Sequence, residues 1–551
     1  MHSSFRQSMA WLHTWTGLVV GWVLFLVFVT GTAGYVQYEI SRWMRPELPM
    51  EARGDLPSVD VLIGHALARL EANAPEAKSW QIVLPHAARQ PRGWQPLSIR
   101  WEEMPPDRQD FGRTGSEVLD AVTGQALVSP EPRDTWGGAG LYRMHYALHY
   151  VPYWVGYYIV GICTMLMLVA VFSGVITHKK IIADFFTFRP GKGQRSWLDA
   201  HNVISVMCLP FFTMITYSGL VFFTTWYAPA PVAAVYGQGD AAMNRYWDDR
   251  SPVHRAGYQP ARAEAALLAR LVTQAEADWG TGRVAELRIE HPRGEPPFVE
   301  LSGVAGDRMG GLRPALLRFD AVEGAPLPPA DREGAAARTE RLLFDLHEGI
   351  FAGWVLRWLY VVSGLLGCGV IATGLVLWTV KRRQKHIKGA SAGARFGLRL
   401  VEVLNAGTVI GLPFGIALFF LANRLLPLQM ESRAEWEFHA LFLGWGWALL
   451  WASVRPLKRA WIDLCRLAAA ACLAIPLVNA LTTERHLGAS LPAGDWALAG
   501  FDLSMLGFAA FFALMAGKLR RKWAVPDEDG ASAGTAARAA RHGRVRHEPA
   551  E

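Results

Sequence analysis

The feature that most constrains this chain is the way its apolar residues gather into runs as long as a lipid bilayer is thick. A hydrocarbon core of about 30 Å takes roughly 20 mostly apolar residues wound as a helix. Eight stretches answer to that length, near 14–36, 153–177, 202–226, 354–380, 403–422, 436–454, 464–481 and 497–517. Hydrophobic residues make up 51% of the 551, and their clustering rather than their number sets the chain apart from a soluble one. The expected fold class is therefore an α-helical polytopic membrane protein of about 8 spans, carrying two small α+β domains between its helices.

Basic residues set the expected orientation, because Lys and Arg near helix ends stay on the cytoplasmic face. Lys179, Lys180, Arg189, Lys192 and Arg195 lie between the second and third spans, and Lys381, Arg382, Arg383 and Lys385 follow the fourth. Arg455, Lys458 and Arg459 separate the sixth from the seventh, and Lys518, Arg520, Arg521 and Lys522 follow the eighth. All four clusters share one face if the N-terminus is cytoplasmic, which suits a bacterial inner membrane. The net charge of +7 then reflects topology and contact with anionic lipid, not nucleic-acid binding. The first apolar run is longer than a signal h-region and no small-residue cleavage site follows it, so it reads as a retained anchor. Cys163, Cys208, Cys368, Cys465 and Cys472 all fall in expected spans and read as core packing.

The expected organisation is a first span over 1–36, an outer domain over 37–147, a second span over 148–180, and a loop with the third span over 181–227. A second outer domain over 228–346, a fourth span over 347–385, a four-helix extension over 400–522 and a disordered tail over 523–551 complete the chain. The two outer insertions look alike. Helical patterns over Ser58–Leu70 and Ala261–Leu271 precede strands at Leu97–Trp101 and Val284–Ile289. Each insertion ends in Asp-Ala-Val-x-Gly, with Gly124 and Gly324 supplying the turn.

The membrane segments repeat as well. His13 precedes Gly31 by 18 residues, as His201 precedes Gly219; His149 stands 25 before Gly174, and His347 stands 27 before Gly374. Each glycine follows a Ser or Thr. A histidine in a membrane helix is costly unless partnered, which makes four in repeat-related places a functional signal. An axis along the membrane normal would bring His13 to His201 at the cytoplasmic edge and His149 to His347 at the outer edge, each pair able to ligate a haem iron axially. His145, one turn before His149, is an alternative ligand. His178 is a competing ligand, a propionate contact or part of a basic cap. The small residues fit a flat macrocycle between helices, though they also serve bare helix packing. No GxGxxG after a strand, GxxxxGK[ST], HExxH or CxxCH occurs, so electrons must come from a separate donor or the quinol pool.

Several segments together resemble a known family: Arg6-x6-His13-x3-Gly17, His178-Lys-Lys-Ile-Ile-Ala-Asp-Phe-Phe-Thr-Phe-Arg-Pro190, Arg195-Ser-Trp-Leu-Asp-Ala-His201 and Asp345-Leu-His-Glu-Gly-Ile-Phe-Ala-Gly353. The chain resembles the PepSY-associated transmembrane proteins over residues 5–385, and within them the FoxB-like inner-membrane ferric-siderophore reductases. The resemblance implies two PepSY-like periplasmic domains and a bundle holding two haem b groups, with a ferric siderophore as substrate. The helices at 400–520 exceed the family's four-helix minimum. Two other readings stand beside this one: an envelope regulator whose outer domains bind a protease or another partner, and a transporter using the last four helices.

Overall fold

The computed structural model describes residues 4–48, 56–85, 96–104, 113–127, 132–178, 194–227, 230–250, 258–304, 316–328, 334–385 and 391–523. Residues 181–193 of the segment expected as a loop with the third span, and the expected tail beyond 523, lie outside the described residues.

The chain opens with α1 (Phe5–Gly34), started by a capping box in which Ser4 and Gln7 satisfy each other's backbone N–H groups. The short α2 (Gln37–Trp43) follows. The first insertion holds α3 (Val59–Asn73), β1 (Ser79–Val83), β2 (Ser98–Glu102) and β3 (Thr114–Val118). The chain returns to the membrane through α4 (Gly137–Ala147) and α5 (Tyr153–Thr177).

The third expected span is broken into α6 (Gln194–Met207) and α7 (Leu209–Val221), which meet at 66°. Pro210 explains the break: it has no N–H to give the preceding turn and is tolerated only at the start of α7. Short helices α8 (Thr224–Tyr227), α9 (Ala230–Tyr236) and α10 (Asp240–Arg250) lead into β4 (Tyr258–Gln259), α11 (Ala265–Trp279), β5 (Val284–Pro292), β6 (Phe298–Gly303), β7 (Leu316–Asp320) and β8 (Pro326–Leu327). Then come α12 (Ala335–Glu348) and the long α13 (Trp354–Lys385).

The last part is all helix: α14 (Ala392–Val409), α15 (Gly411–Leu425), α16 (Arg433–Val454), α17 (Leu457–Thr482), α18 (Leu487–Ala493) and α19 (Trp496–Trp523). Among the described residues six segments are long and apolar enough to cross a bilayer, or seven with the bent α6–α7 pair; α14 and α15 count as one of the six. The expected count of eight is not reached by this measure. Helix α16, at the place of the sixth expected span, is 22 residues long, and its tryptophans with Glu435, Glu437 and His439 keep it below the others in apolarity.

The two insertions, expected as two small α+β domains, join their strands in one antiparallel sheet. Its strand order is β3-β2-β1-β5-β6-β7-β8, with β4 on β5. The seam is β1 against β5, where Gln81 faces Arg288, Trp80 faces Ile289 and Ile82 faces Leu287. Trp80-Gln-Ile82 and Leu287-Arg-Ile289 match in pattern, so the pairing reads the same in both directions. Helices α3 and α11 cover one face of the sheet and share its core with Trp80, Ile82, Ile99, Leu287, Ile289 and Leu301. The two Asp-x-x-x-Gly turns are built alike. Asp120 accepts from the backbone N–H of Val122 and Thr123, and Asp320 from those of Val322 and Glu323. Gly124 and Gly324 take φ of +69° and +73°, a region open to glycine.

Helix α1 packs on α5 and α13, α6 on α13, and α7 on α5 and α12. The C-terminal helices join this bundle through a buried charged network at the sheet end. Arg433 pairs with Glu437 at 2.7 Å, both fully buried, and Arg42 pairs with Asp495 at 2.8 Å. Asp502 accepts from Trp43 Nε1 at 2.9 Å and from Asn479 Nδ2 at 3.1 Å, tying α2 to α17 and α19.

Candidate functional site

Four histidines come together as two pairs. The rings of His13 and His201 lie 6.3 Å apart between centres, and those of His145 and His347 lie 6.0 Å apart. The two pairs sit at opposite ends of α1: His13 is on it, and His145 docks against Gly31, which is 18 residues, or about 27 Å, further along.

All four imidazoles are held by one device. His13 Nδ1 lies 2.8 Å from the carbonyl oxygen of Ala170, His145 Nδ1 2.7 Å from that of Val27, His201 Nδ1 3.1 Å from that of Val370 and His347 Nδ1 3.0 Å from that of Ile215. A carbonyl can only accept, so each Nδ1 carries the hydrogen and each Nε2 keeps its lone pair. Each accepting carbonyl lies four residues before a glycine on the facing helix, and that glycine forms the floor under the ring. A Cβ on Gly31 would come within 2.6 Å of His145, on Gly174 within 3.1 Å of His13, on Gly219 within 2.9 Å of His347 and on Gly374 within 3.3 Å of His201.

The Ser or Thr before each glycine bonds its own helix. Thr30 donates to Leu26 O, Ser173 to Val169 O, Ser218 to Met214 O and Thr373 to Val370 O, so no hydroxyl is left bare in an apolar wall. Burial holds His145 and His347 below the ordinary imidazole range, and for His347 the neighbouring imidazole adds to burial, pushing it down to about 3. Both rings are therefore neutral near pH 7.

The spacing fits a metal held between two trans imidazoles. A metal–nitrogen bond of about 2 Å and roughly 1.1 Å from each nitrogen to its ring centre put such rings about 6.2 Å apart. Among the described residues no three His, Cys, Asp or Glu side chains gather as a metal site, so a bare ion at either pair would find two protein ligands. A macrocycle that supplies its own equatorial nitrogens needs only these two. The pair at the sheet end opens into a cavity of about 220 Å³ lined by Val27, Phe28, Tyr146, Tyr157, Thr216 and Phe222 among others. These apolar and aromatic walls suit a flat, greasy ring better than a hydrated ion.

The outer pair is not the expected His149 with His347. Helix α4 ends at Ala147, Leu148 and Tyr150 adopt φ of +61°, and His149 is swung towards the C-terminal helices. There its ring stacks on Phe438 at 4.1 Å, and its Nε2 lies 3.3 Å from a Glu435 carboxylate oxygen. The residue facing Gly31 is the one a turn earlier, His145. His145 and His347 also lie on short helices before the spans rather than within them. His178 caps α5, with its Nε2 2.9 Å from Asn202 Nδ2, and it is His201 that faces His13. His439 meets the Tyr150 hydroxyl. The carbonyl acceptors carried no sequence signal; the glycines that mark them did.

The family description "PepSY-associated TM region" matches residues 10–381. The chain belongs to the PepSY-associated transmembrane family. An uncharacterized protein of Pseudomonas aeruginosa is 26% identical to it over 376 residues, covering 64% of this chain and 87% of that protein. All four paired histidines of this PepSY-associated chain lie inside the matched span, whereas the helices from α14 onward lie beyond it.

Proposed function

We propose that this protein is a haem b oxidoreductase with two haems, which carries electrons from the cytoplasmic side or the quinol pool across the inner membrane and reduces ferric siderophores at the sheet end. One observation carries the reading: the fourfold recurrence of an imidazole on a glycine floor, oriented through Nδ1 by a helix carbonyl and paired about 6 Å from a second imidazole.

Haem b, held by His13 with His201 and by His145 with His347, would supply a one-electron iron couple suited to electron transfer rather than oxygen chemistry. The chain's own residues do the remaining work. The backbone carbonyls of Ala170, Val27, Val370 and Ile215 fix the tautomer and the ring plane. The apolar faces of α1, α5, α7 and α13 keep water from the interior. The two pairs, about 27 Å apart along α1, set the ends of a path of bilayer length. At the sheet end the substrate gains one electron; a siderophore's hard oxygen donors hold ferric iron tightly and the softer ferrous ion weakly, so the metal leaves.

In the same reading the sheet lies in the periplasm as two PepSY-like domains joined at β1–β5, and the chain is a duplicated unit of helix, outer domain and helix. The alike turns at Asp120 and Asp320 and the four alike histidine sites support the duplication. Arg6, Arg382, Arg383, Arg520 and Arg521, at helix ends away from the sheet, support the orientation.

The test is optical. Purified full-length protein reduced with dithionite should show b-type bands, which ferric siderophores then bleach under anaerobic conditions with release of ferrous iron to a chelator. Protein without reducible bands contradicts the haem reading and leaves the regulatory or transport readings. Bands that no ferric chelate reoxidises contradict the substrate alone.

A further inference from the structure

Resting on the haem reading, we infer that Glu435 and Phe438 on α16 are positioning residues for His145: they hold α4 from behind, so that its imidazole meets that of His347 across the width of one iron. Helix α4 is a short piece set off from the chain on both sides. Gly137 opens it at φ +58° and Leu148 closes it at φ +61°, so neither flanking segment runs straight into it and its orientation depends on what packs against it. On its front, His145 meets the Val27 carbonyl and the Gly31 floor of α1. Gly140 stands about 140° round the helix from His145, and α16 arrives there: a Cβ on Gly140 would come within 2.9 Å of the Phe438 ring.

The same two residues grip both ends of α4. At its start, Glu435 Oε1 accepts from the Trp136 indole N–H at 2.9 Å, and Arg433 donates to the Asp134 carbonyl at 2.9 Å just before it. At its end, the His149 ring stacks on Phe438 at 4.1 Å, with its Nε2 3.3 Å from Glu435 Oε2. One carboxylate therefore reaches the residues that flank α4 on either side, while one buried ring backs its middle and its end. Close packing of that kind leaves α4 little room to slide or roll, and a ligand helix that cannot roll keeps its ring at a set angle. The hold comes from outside the family-matched residues 10–381, since α16 lies beyond them. The other histidine pair is about 27 Å away along α1, out of reach of both residues.

The experiment uses purified full-length protein and reads the electron paramagnetic resonance of its ferric haems, whose g-values depend on the angle between the two axial ring planes. That angle is 69° for His13 with His201 and 37° for His145 with His347, so the two haems should give separate signals. Glu435→Ala should shift the signal that His145→Ala removes and leave the other in place. Loss of that haem should be about threefold faster, the worth of one hydrogen bond between packed membrane helices. Glu435→Gln, whose amide oxygen still accepts from Trp136, should restore both readings, and Phe438→Leu should shift the same signal. Trp445→Phe removes a bond of 2.9 Å from α16 to the Gly407 carbonyl, away from α4, and should move neither signal. Wild-type protein without haem overturns the haem reading and the inference with it. Two haems in wild type, with the sheet-end signal unmoved in both Glu435→Ala and Phe438→Leu, or moved as much by Trp445→Phe, overturn the positioning role while the haem reading stands.

Discussion

Every buried imidazole has two nitrogens to satisfy, and in this bundle one is answered by a helix carbonyl. That leaves the other as the chemically useful atom at four places. The glycine under each ring makes the arrangement sensitive to a single methyl. Gly31→Ala would put a Cβ within 2.6 Å of His145, and Gly174→Ala a Cβ within 3.1 Å of His13. Both variants should express, and on the proposed haem reading Gly31→Ala should lose most of the haem at the sheet end, read as about half the pyridine haemochrome yield. His145→Ala should do the same, whereas His149→Ala should retain both haems because its ring stacks on Phe438. This contrast marks what the sequence could and could not say. His13 and His201 share one interval to their glycines; His149 and His145 stand 25 and 29 residues before Gly174, against 27 for the counterpart pair, so spacing alone favoured neither. The positive φ at Leu148, which ends α4, decided it, and a leucine carries no signal for positive φ.

At the level of elements, the long apolar runs of α1, α5, α13 and α17 were legible because bilayer length is a strong requirement. The bend between α6 and α7 followed from Pro210, which an apolar run read as one span conceals. The β1–β5 seam joins segments some two hundred residues apart, and no local pattern announces such a partner. Its test is Trp80, fully buried, whose indole N–H donates to Ala74 O at 2.9 Å. Trp80→Ala should destabilise the sheet by about 3–5 kcal/mol. Limited proteolysis should then cut the sheet domain while the haem bands persist, since none of the four paired histidines lies in the sheet.

Across the whole molecule, the helices from α14 onward brace the sheet end through ion pairs out of contact with water. Breaking a buried pair by removing one partner typically costs about 3–5 kcal/mol, whereas replacing both with well-packed apolar groups is far milder. Glu437→Ala should therefore lower the thermal midpoint in detergent markedly by leaving Arg433 uncompensated, and Arg433→Met with Glu437→Leu should recover much of the loss. The two histidine pairs stand further apart than any pair of side chains could bridge, and in the proposed function they are two ends of one trans-bilayer path. Haem stoichiometry with its site assignment tests that claim most directly. Purified wild-type chain should hold two six-coordinate b haems, and His13→Ala and His347→Ala should each remove a different one, the double variant removing both. A wild-type chain with no haem, or single variants that both keep two, would contradict the account.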